Sequence, residues 1–270
     1  MTKAKRMMQE DLKLIDLVIE LVDARIPESS RNPDINGMAG KKPRLVLLNK
    51  ADLADPVCNK QWVARFREKG VHVLEINSKT GAGIREINGM VQEACREKIE
   101  RDRKRGIVNR PVRAMVVGIP NVGKSTFINT FAGKACTKTG NKPGVTKGKQ
   151  WIRLSKTLEL LDTPGILWPK FEDQMVGMRL AFIGSINDEI MITEELACDL
   201  LNVLQQLYPD CIQKRYEVEW MDTPVKTLEA IAKNRGCLLK GEETDLKKAA
   251  GILTDDFRSG RLGRMTLELP

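Results

Sequence analysis

The stretch Gly118-Ile-Pro-Asn-Val-Gly-Lys-Ser125 constrains this chain more than any other. Two glycines separated by four residues and followed by Lys and Ser form a phosphate-binding pattern, and the flanks agree with it. Arg113-Ala-Met-Val-Val117 is a short apolar run that predicts a buried strand, and Ser125 to Ala132 can start a helix. Glycine lets backbone N–H groups wrap a phosphate without a Cβ clash, and a helix N-terminus adds a field that favours negative charge. The phosphate contacts would come from Asn121, Val122, Gly123, Lys124, Ser125 and Thr126. Lys124 would reach the β- and γ-phosphates as a catalytic cation, and the Ser125 hydroxyl would ligate Mg²⁺.

A second pattern selects the base. Pro43-Arg-Leu-Val-Leu-Leu48 reads as a buried strand and ends in Asn49-Lys50-Ala51-Asp52. The Asp52 carboxylate can only accept hydrogen bonds, and guanine offers it two donors, N1–H and the 2-amino group. Adenine offers an acceptor at N1 and no 2-amino group, which would leave a carboxylate unpaired. The bland alternative is a polar turn after a strand, and the neighbouring phosphate loop argues against it. Asn77 and Ser78, after the third strand, would supply loop backbone to the base. Asp162-Thr-Pro-Gly165 completes the set: Asp162 would hold Mg²⁺ through its water shell, and the Gly165 N–H would sense the γ-phosphate. Thr146, in Pro143-Gly-Val-Thr146, is the candidate switch threonine for Mg²⁺, with Thr137 and Thr139 as competitors in the same loop.

The surrounding chain alternates strands and helices. Strands are expected over 16–22, 43–48, 71–76, 113–117, 150–154 and 157–161, the last two as a hairpin. Helices are expected over 3–14, 60–69 and 84–105, with 29–40 rich in turns. Such alternation implies an α/β domain with a mostly parallel sheet covered on both faces, and ligands at the carboxyl ends of its strands. The order of the motifs is unusual, because the base-reading loop precedes the phosphate loop. A circular permutation produces that order without disturbing the sheet. The expected architecture is therefore a circularly permuted P-loop GTPase domain over residues 1–173 and a smaller all-α C-terminal domain over 174–270.

In that second part, 174–186 is apolar enough to be a docking helix, and Leu196, Leu200, Leu201, Val203, Leu204 and Leu207 recur at helical spacing. Thr223-Pro224 is a cap-and-start pair for a helix that Gly236 ends, and Thr244 can cap another that runs to about Ser259. Charge bears on partners. The net charge is +9, which favours a polyanion, with RNA the first candidate. Residues 134–156 hold seven Lys/Arg and no acid, so a switch loop that also touches RNA phosphates competes with a merely solvated loop. Arg258, Arg261 and Arg264 form a further basic stretch that could meet RNA. No apolar run approaches a membrane span, and no signal-peptide core follows the basic start. Six scattered cysteines without a C-x-x-C pair point to a reducing cytoplasm. His72, the sole histidine, falls within the third strand and reads as a packed or surface residue.

With the permuted order, Asp23-Ala-Arg25, G-I-P-N-V-G-K-S, P-G-V-T and L-L-D-T-P-G-I-L-W-P-K-F-E-D in hand, the chain resembles the ribosome biogenesis GTPase A family along nearly its whole length. That resemblance implies GTP hydrolysis coupled to a late step of large ribosomal subunit assembly, with rRNA contact in the cytoplasm and a monomer in solution. It also implies K⁺ as a second cation at Asn121. Members usually begin with an aromatic-Pro-Gly-His segment before the basic helix, and this sequence starts at the following Met. Many GTPases orient the attacking water with a Gln after the switch glycine. Here Ile166 and Leu167 stand in that place, so slow intrinsic hydrolysis is expected, with acceleration by the ribosomal particle. The competing readings are a nucleotide-gated RNA-binding module, and a GTPase that acts on tRNA or a membrane partner.

Overall fold

The computed structural model describes residues 3–108, 110–133, 150–162, 173–186 and 193–270. Its centre is a six-stranded sheet in the order β3-β2-β1-β4-β6-β5. The strands are β1 (Leu17–Asp23), β2 (Arg44–Asn49), β3 (His72–Glu75), β4 (Val112–Val117), β5 (Gln150–Arg153) and β6 (Leu158–Asp162). All pairings are parallel except β5 with β6, the expected hairpin. Every residue of β1 is buried, as the central strand of a parallel sheet covered on two faces must be.

Helices cover both faces. α4 (Ile87–Ala94) and α6 (Lys124–Ala132) bring Ile87, Val91, Phe127 and Ile128 into one core with the strand residues Ile19, Leu47 and Val116. On the other face α1 (Lys3–Leu12) and α2 (Pro33–Ala39) set Met8, Leu12, Ile35 and Ala39 against Val18, Met115 and Leu161. α3 (Pro56–Glu68) sets Trp62 and Phe66 against Val46, Leu48 and Val73. β1 lies between β2 and β4, where the strand order reverses direction along the chain, so the carboxyl ends of β1 and β4 open the crevice used by ligands of such sheets.

The remaining elements begin with α5 (Arg96–Lys104), between α4 and β4, and continue after the sheet with α7 (Gln174–Phe182), α8 (Thr193–Leu207), α9 (Cys211–Tyr216), α10 (Pro224–Asn234) and α11 (Leu246–Arg258). Leu200, Leu204, Leu228, Ile231, Leu253 and Phe257 are buried among the last of these, in an apolar core continuous through Leu180 and Phe182 with the sheet. After α11 the chain turns back across the sheet part. Met265 N donates to Leu53 O, Leu267 N to Arg25 O at 2.8 Å, and the Trp62 indole N–H to Glu268 O at 2.9 Å. The Glu268 carboxylate accepts from the Glu28 and Ser29 N–H groups and from Arg179 at 3.0 Å.

Several elements differ from the sequence reading. The helix expected over 84–105 breaks at Cys95 into α4 and α5: α4 buries Ile87 and Val91, whereas no residue of the mostly charged α5 is fully buried, with Ile99 packed partly against the core and Lys98 paired with Asp16. Asp245, not Thr244, caps α11, accepting from Lys248 N at 2.9 Å, because Thr244 is taken up in a bridge with Leu238. The turn-rich 29–40 stretch contains α2, which starts at Pro33, and α3 begins early because Asp55 caps it and Pro56 occupies its first turn. α9 has no counterpart in the reading. Thr223 caps α10 as expected, accepting from Lys226 N at 3.3 Å. The three arginines expected to meet RNA are held by the protein itself. Arg258 bonds Phe182 O and Ala181 O, Arg261 pairs with Asp256, and Arg264 bonds Ala54 O and Ala51 O.

Candidate nucleotide site

The phosphate loop has the strand-loop-helix context its spacing predicts, leaving β4 at Val117 and entering α6 at Lys124. Both glycines are sterically required. A Cβ on Gly118 would lie 2.8 Å from Leu21 O, and one on Gly123, at φ 100°, would lie 2.6 Å from Asn49 Nδ2. Asn121 also takes the left-handed conformation, at φ 59°, which bends the loop around the space before α6. Lys124, Ser125 and Thr126 are half-buried in the first turn of that helix, where backbone N–H groups lack intrahelical partners.

The candidate base-reading loop is bonded directly to this one. Asn49 ends β2, and its side chain ties three loops together. Its amide N–H donates to Val122 O at 2.7 Å, and its Oδ1 accepts from Ser78 N at 2.9 Å and Ser78 Oγ at 2.8 Å. Asn77 builds the turn that holds Ser78, accepting from Lys79 N and Thr80 N, and Thr130 of α6 donates to Ser78 O at 2.7 Å. Lys50, left-handed at φ 58°, donates to Asn121 O at 3.0 Å. Ala51 N bonds Ile76 O, and Asp52 stands exposed at the rim. The candidate base and phosphate residues thus form one connected unit, with Asp52 exposed where a base can reach it.

Beneath the loops lies a cluster whose role was not legible in the sequence. The Asp23 carboxylate, at the end of β1, is fully buried. It accepts from the Arg25 Nε at 2.9 Å and Nη2 at 2.8 Å, and pairs with the Lys50 ammonium at 2.9 Å. Burial alone would raise its pKa, but the two cations outweigh burial and hold it well below the usual carboxylate range. Burial also lowers the pKa of Lys50, against the pull of Asp23. Arg25, 1% exposed, sits 5.4 Å from the Phe257 ring centroid and donates to Arg258 O at 3.2 Å. The phosphate loop reaches the helices as well. Asn121 Nδ2 donates to Gly184 O at 2.8 Å, and Ser185 Oγ to Pro120 O at 2.9 Å. The Arg264 bond to Ala51 O, at 3.0 Å, adds the chain end to the base loop.

Asp162 closes β6, adjacent to β4, so its main chain lies at the same end of the sheet as Ser125. Its side chain, Thr146, Gly165 and the Ile166-Leu167 pair lie outside the described residues. A Ser hydroxyl and an Asp carboxylate at neighbouring strand ends are hard oxygen donors, the kind Mg²⁺ takes. The Asn121 side chain, considered for K⁺, spends its amide nitrogen on Gly184 and keeps Oδ1 as the atom a cation would use.

Comparison with known proteins agrees with this geometry. The model of the family described as 50S ribosome-binding GTPase matches residues 113–208. Over its full length the chain is 50% identical to ribosome biogenesis GTPase A of Bacillus cereus, covering 92% of that protein. GNP-bound YlqF from T. maritima superposes with a TM-score of 0.72 at 27% identity, covering 100% of this chain and 99% of that one. The GDP-bound form of TM YlqF gives 0.74 at 25% identity over 98% and 99%. A permuted order of motifs, two nucleotide loops bonded into one unit and full-length identity of this degree lead to one conclusion: the chain belongs to the ribosome biogenesis GTPase A family.

Proposed function

We propose that this protein binds and hydrolyses GTP as an assembly factor of the large ribosomal subunit, and that the ribosomal particle stimulates its turnover. The observation that supports this most is the bonding of the base loop to the phosphate loop through Asn49 and Lys50, which fixes the distance between guanine and phosphate contacts before ligand arrives. Residues 1–173 serve as the GTPase domain and 174–270 as the helical domain that reports its state. The helix α6 N-terminus and the loop amides hold the phosphates, Lys124 neutralises charge as the γ-phosphoryl group departs, and Asp52 selects guanine. Ser125, Thr146 and Asp162 would hold Mg²⁺, which supplies charge neutralisation between the β- and γ-phosphates when bound. The Gly165 N–H reads the γ-phosphate, and Asn121 Oδ1 is the candidate K⁺ ligand. The basic net charge of +9 supports an rRNA partner. Among the described residues no helix is long and apolar enough to cross a membrane, and the proposed factor works as a monomer in the cytoplasm.

Sedimentation with large-subunit precursor particles, with a GTP analogue or with GDP, tests the reading. Binding favoured by the analogue, with particle-stimulated hydrolysis, is expected. Binding without stimulation would leave a nucleotide-gated RNA-binding module instead, and no binding in either state would remove the ribosomal partner.

A further inference from the structure

We propose that the edge strand β5 and the turn that follows it carry an RNA-docking surface centred on Trp151. The partner rests on the ribosomal reading, and the place rests on the following geometry. In the sheet register Arg113 of β4 lies beside Glu159 of β6, and Glu159 beside Arg153 of β5. The three therefore share one face, and Trp151, two residues from Arg153, shares it too. α1 and α2 cover that face further along the strands, over Met115, Val117 and Leu161. They leave the Arg113, Glu159 and Arg153 row open, with Arg113 44% exposed at its side chain, and Trp151, opposite Leu161 on the edge strand, is still 38% exposed. The Arg113 guanidinium lies 4.9 Å from the Trp151 ring centroid. An exposed tryptophan with arginine at its ring, on an open sheet face, has the chemistry that stacks an unpaired base.

The charge around it fits a nucleic-acid backbone. Lys156 is exposed in the turn between β5 and β6, and that turn lies against the start of β4 through Val112 N to Thr157 O at 2.8 Å. Arg103, Lys104 and Arg105 are exposed at the end of α5, from which the chain leads through Arg110 into β4. Three of the nearby acids are already engaged. Glu159 is 3.6 Å from Arg113, and Asp16 and Asp102 pair with Lys98 and Arg110. The balance is a positive rim around one aromatic ring. A single-stranded or looped RNA segment, with phosphates to neutralise and a base to stack, fits it better than a protein surface does.

The test uses the full chain and fluorescein-labelled A12 RNA, with a 12-base-pair RNA duplex as comparison, read by anisotropy over a salt series. Trp151→Ala should weaken A12 binding about tenfold and duplex binding little, and Trp151→Phe should recover most of the loss. Arg153→Glu with Lys156→Glu should weaken both and flatten the log–log salt slope for A12 by about 1.4, two contacts at about 0.7 each. Intrinsic GTP hydrolysis and melting temperature should stay as in the wild type. Unchanged A12 affinity in all variants would overturn the proposal. Equal loss for Trp151→Ala and Trp151→Phe with a lowered melting temperature would overturn it too, since the ring would then be structural. The same variants are sedimented with large-subunit particles. Weaker particle binding with unchanged RNA affinity would assign the surface to a protein and overturn the RNA proposal. If wild type binds A12 through Trp151 but never sediments with particles, the docking surface stands and the ribosomal reading fails.

Discussion

The two ends of the sheet handle charge in opposite ways. At the carboxyl end Asp23, Arg25 and Lys50 are drawn under the nucleotide loops, with two cations sharing one carboxylate. At the amino end Arg113, Arg153 and Lys156 stay in solvent. Buried, paired charges hold backbone in place at the cost of desolvation, whereas exposed charges in net positive excess attract a polyanion. The contrast separates the proposed nucleotide site from the surface proposed for docking. Arg25, Asn121 and Ala51 each bond a residue beyond position 180, which joins the loops at this end to the later helices.

The contrast can be broken most severely at Asp23. Asp23→Asn leaves Arg25 and Lys50 buried without their counter-charge, and should cost about 3–5 kcal/mol of stability in urea unfolding, with weakened GTP binding. A loss below about 1 kcal/mol would show that the cluster is dispensable. Lys124→Ala should slow single-turnover hydrolysis roughly 10²–10³-fold with the fold intact. Asp52→Asn should weaken GTP binding on the order of a hundredfold and favour xanthosine nucleotides in competition, because the 2-position of xanthine carries an oxygen. A continued preference of the Asp52→Asn protein for GTP would take this loop out of the base site.

Acid should sharpen the same contrast. The Asp23 carboxyl titrates near 3.8 when unfolded and lower when folded. The unfolded state therefore binds its proton first. The stabilisation from this group is complete above that value and is lost as pH falls from there toward the folded pKa. Urea unfolding of wild type against Asp23→Asn should show a gap that is constant above about pH 5 and narrows below about pH 4. The smallest effect is expected at Arg264→Ala, which removes the bonds to Ala51 O and Ala54 O from the returning chain end. It should cost about 1–2 kcal/mol and change guanine nucleotide affinity only a few-fold.

What the sequence disclosed were the parts whose spacing carries chemistry: Gly118 to Ser125 between strand and helix, and Asn49 to Asp52 after a buried strand. The alternation of apolar runs disclosed the parallel sheet for the same reason, since a strand buried on both faces leaves no polar alternation to confuse it. Asp23 and Arg25 were visible as a motif but not as a junction, because the Arg25 partner lies 233 residues away in sequence. The return of residues 264–268 to the sheet carries no periodicity at all; its bonds are mostly to backbone, and backbone is silent in composition. The Cys95 break separates an apolar face from a charged one inside a stretch that otherwise reads as a single helix. At α11 two adjacent residues could cap, and tertiary context chose Asp245. Arg258, Arg261 and Arg264 read as a basic stretch that could meet RNA, and nothing local shows that distant carbonyls and Asp256 also bond them.

The proposal that this site binds guanine nucleotide and waits for a partner to trigger it is tested most directly by single-turnover GTP hydrolysis. The reaction is run in K⁺ and in Na⁺, with and without large-subunit particles. Slow hydrolysis by the isolated chain is expected, with a large acceleration when particles are added in K⁺. Fast hydrolysis by the isolated chain in Na⁺, unaltered by particles, would contradict a partner-triggered site.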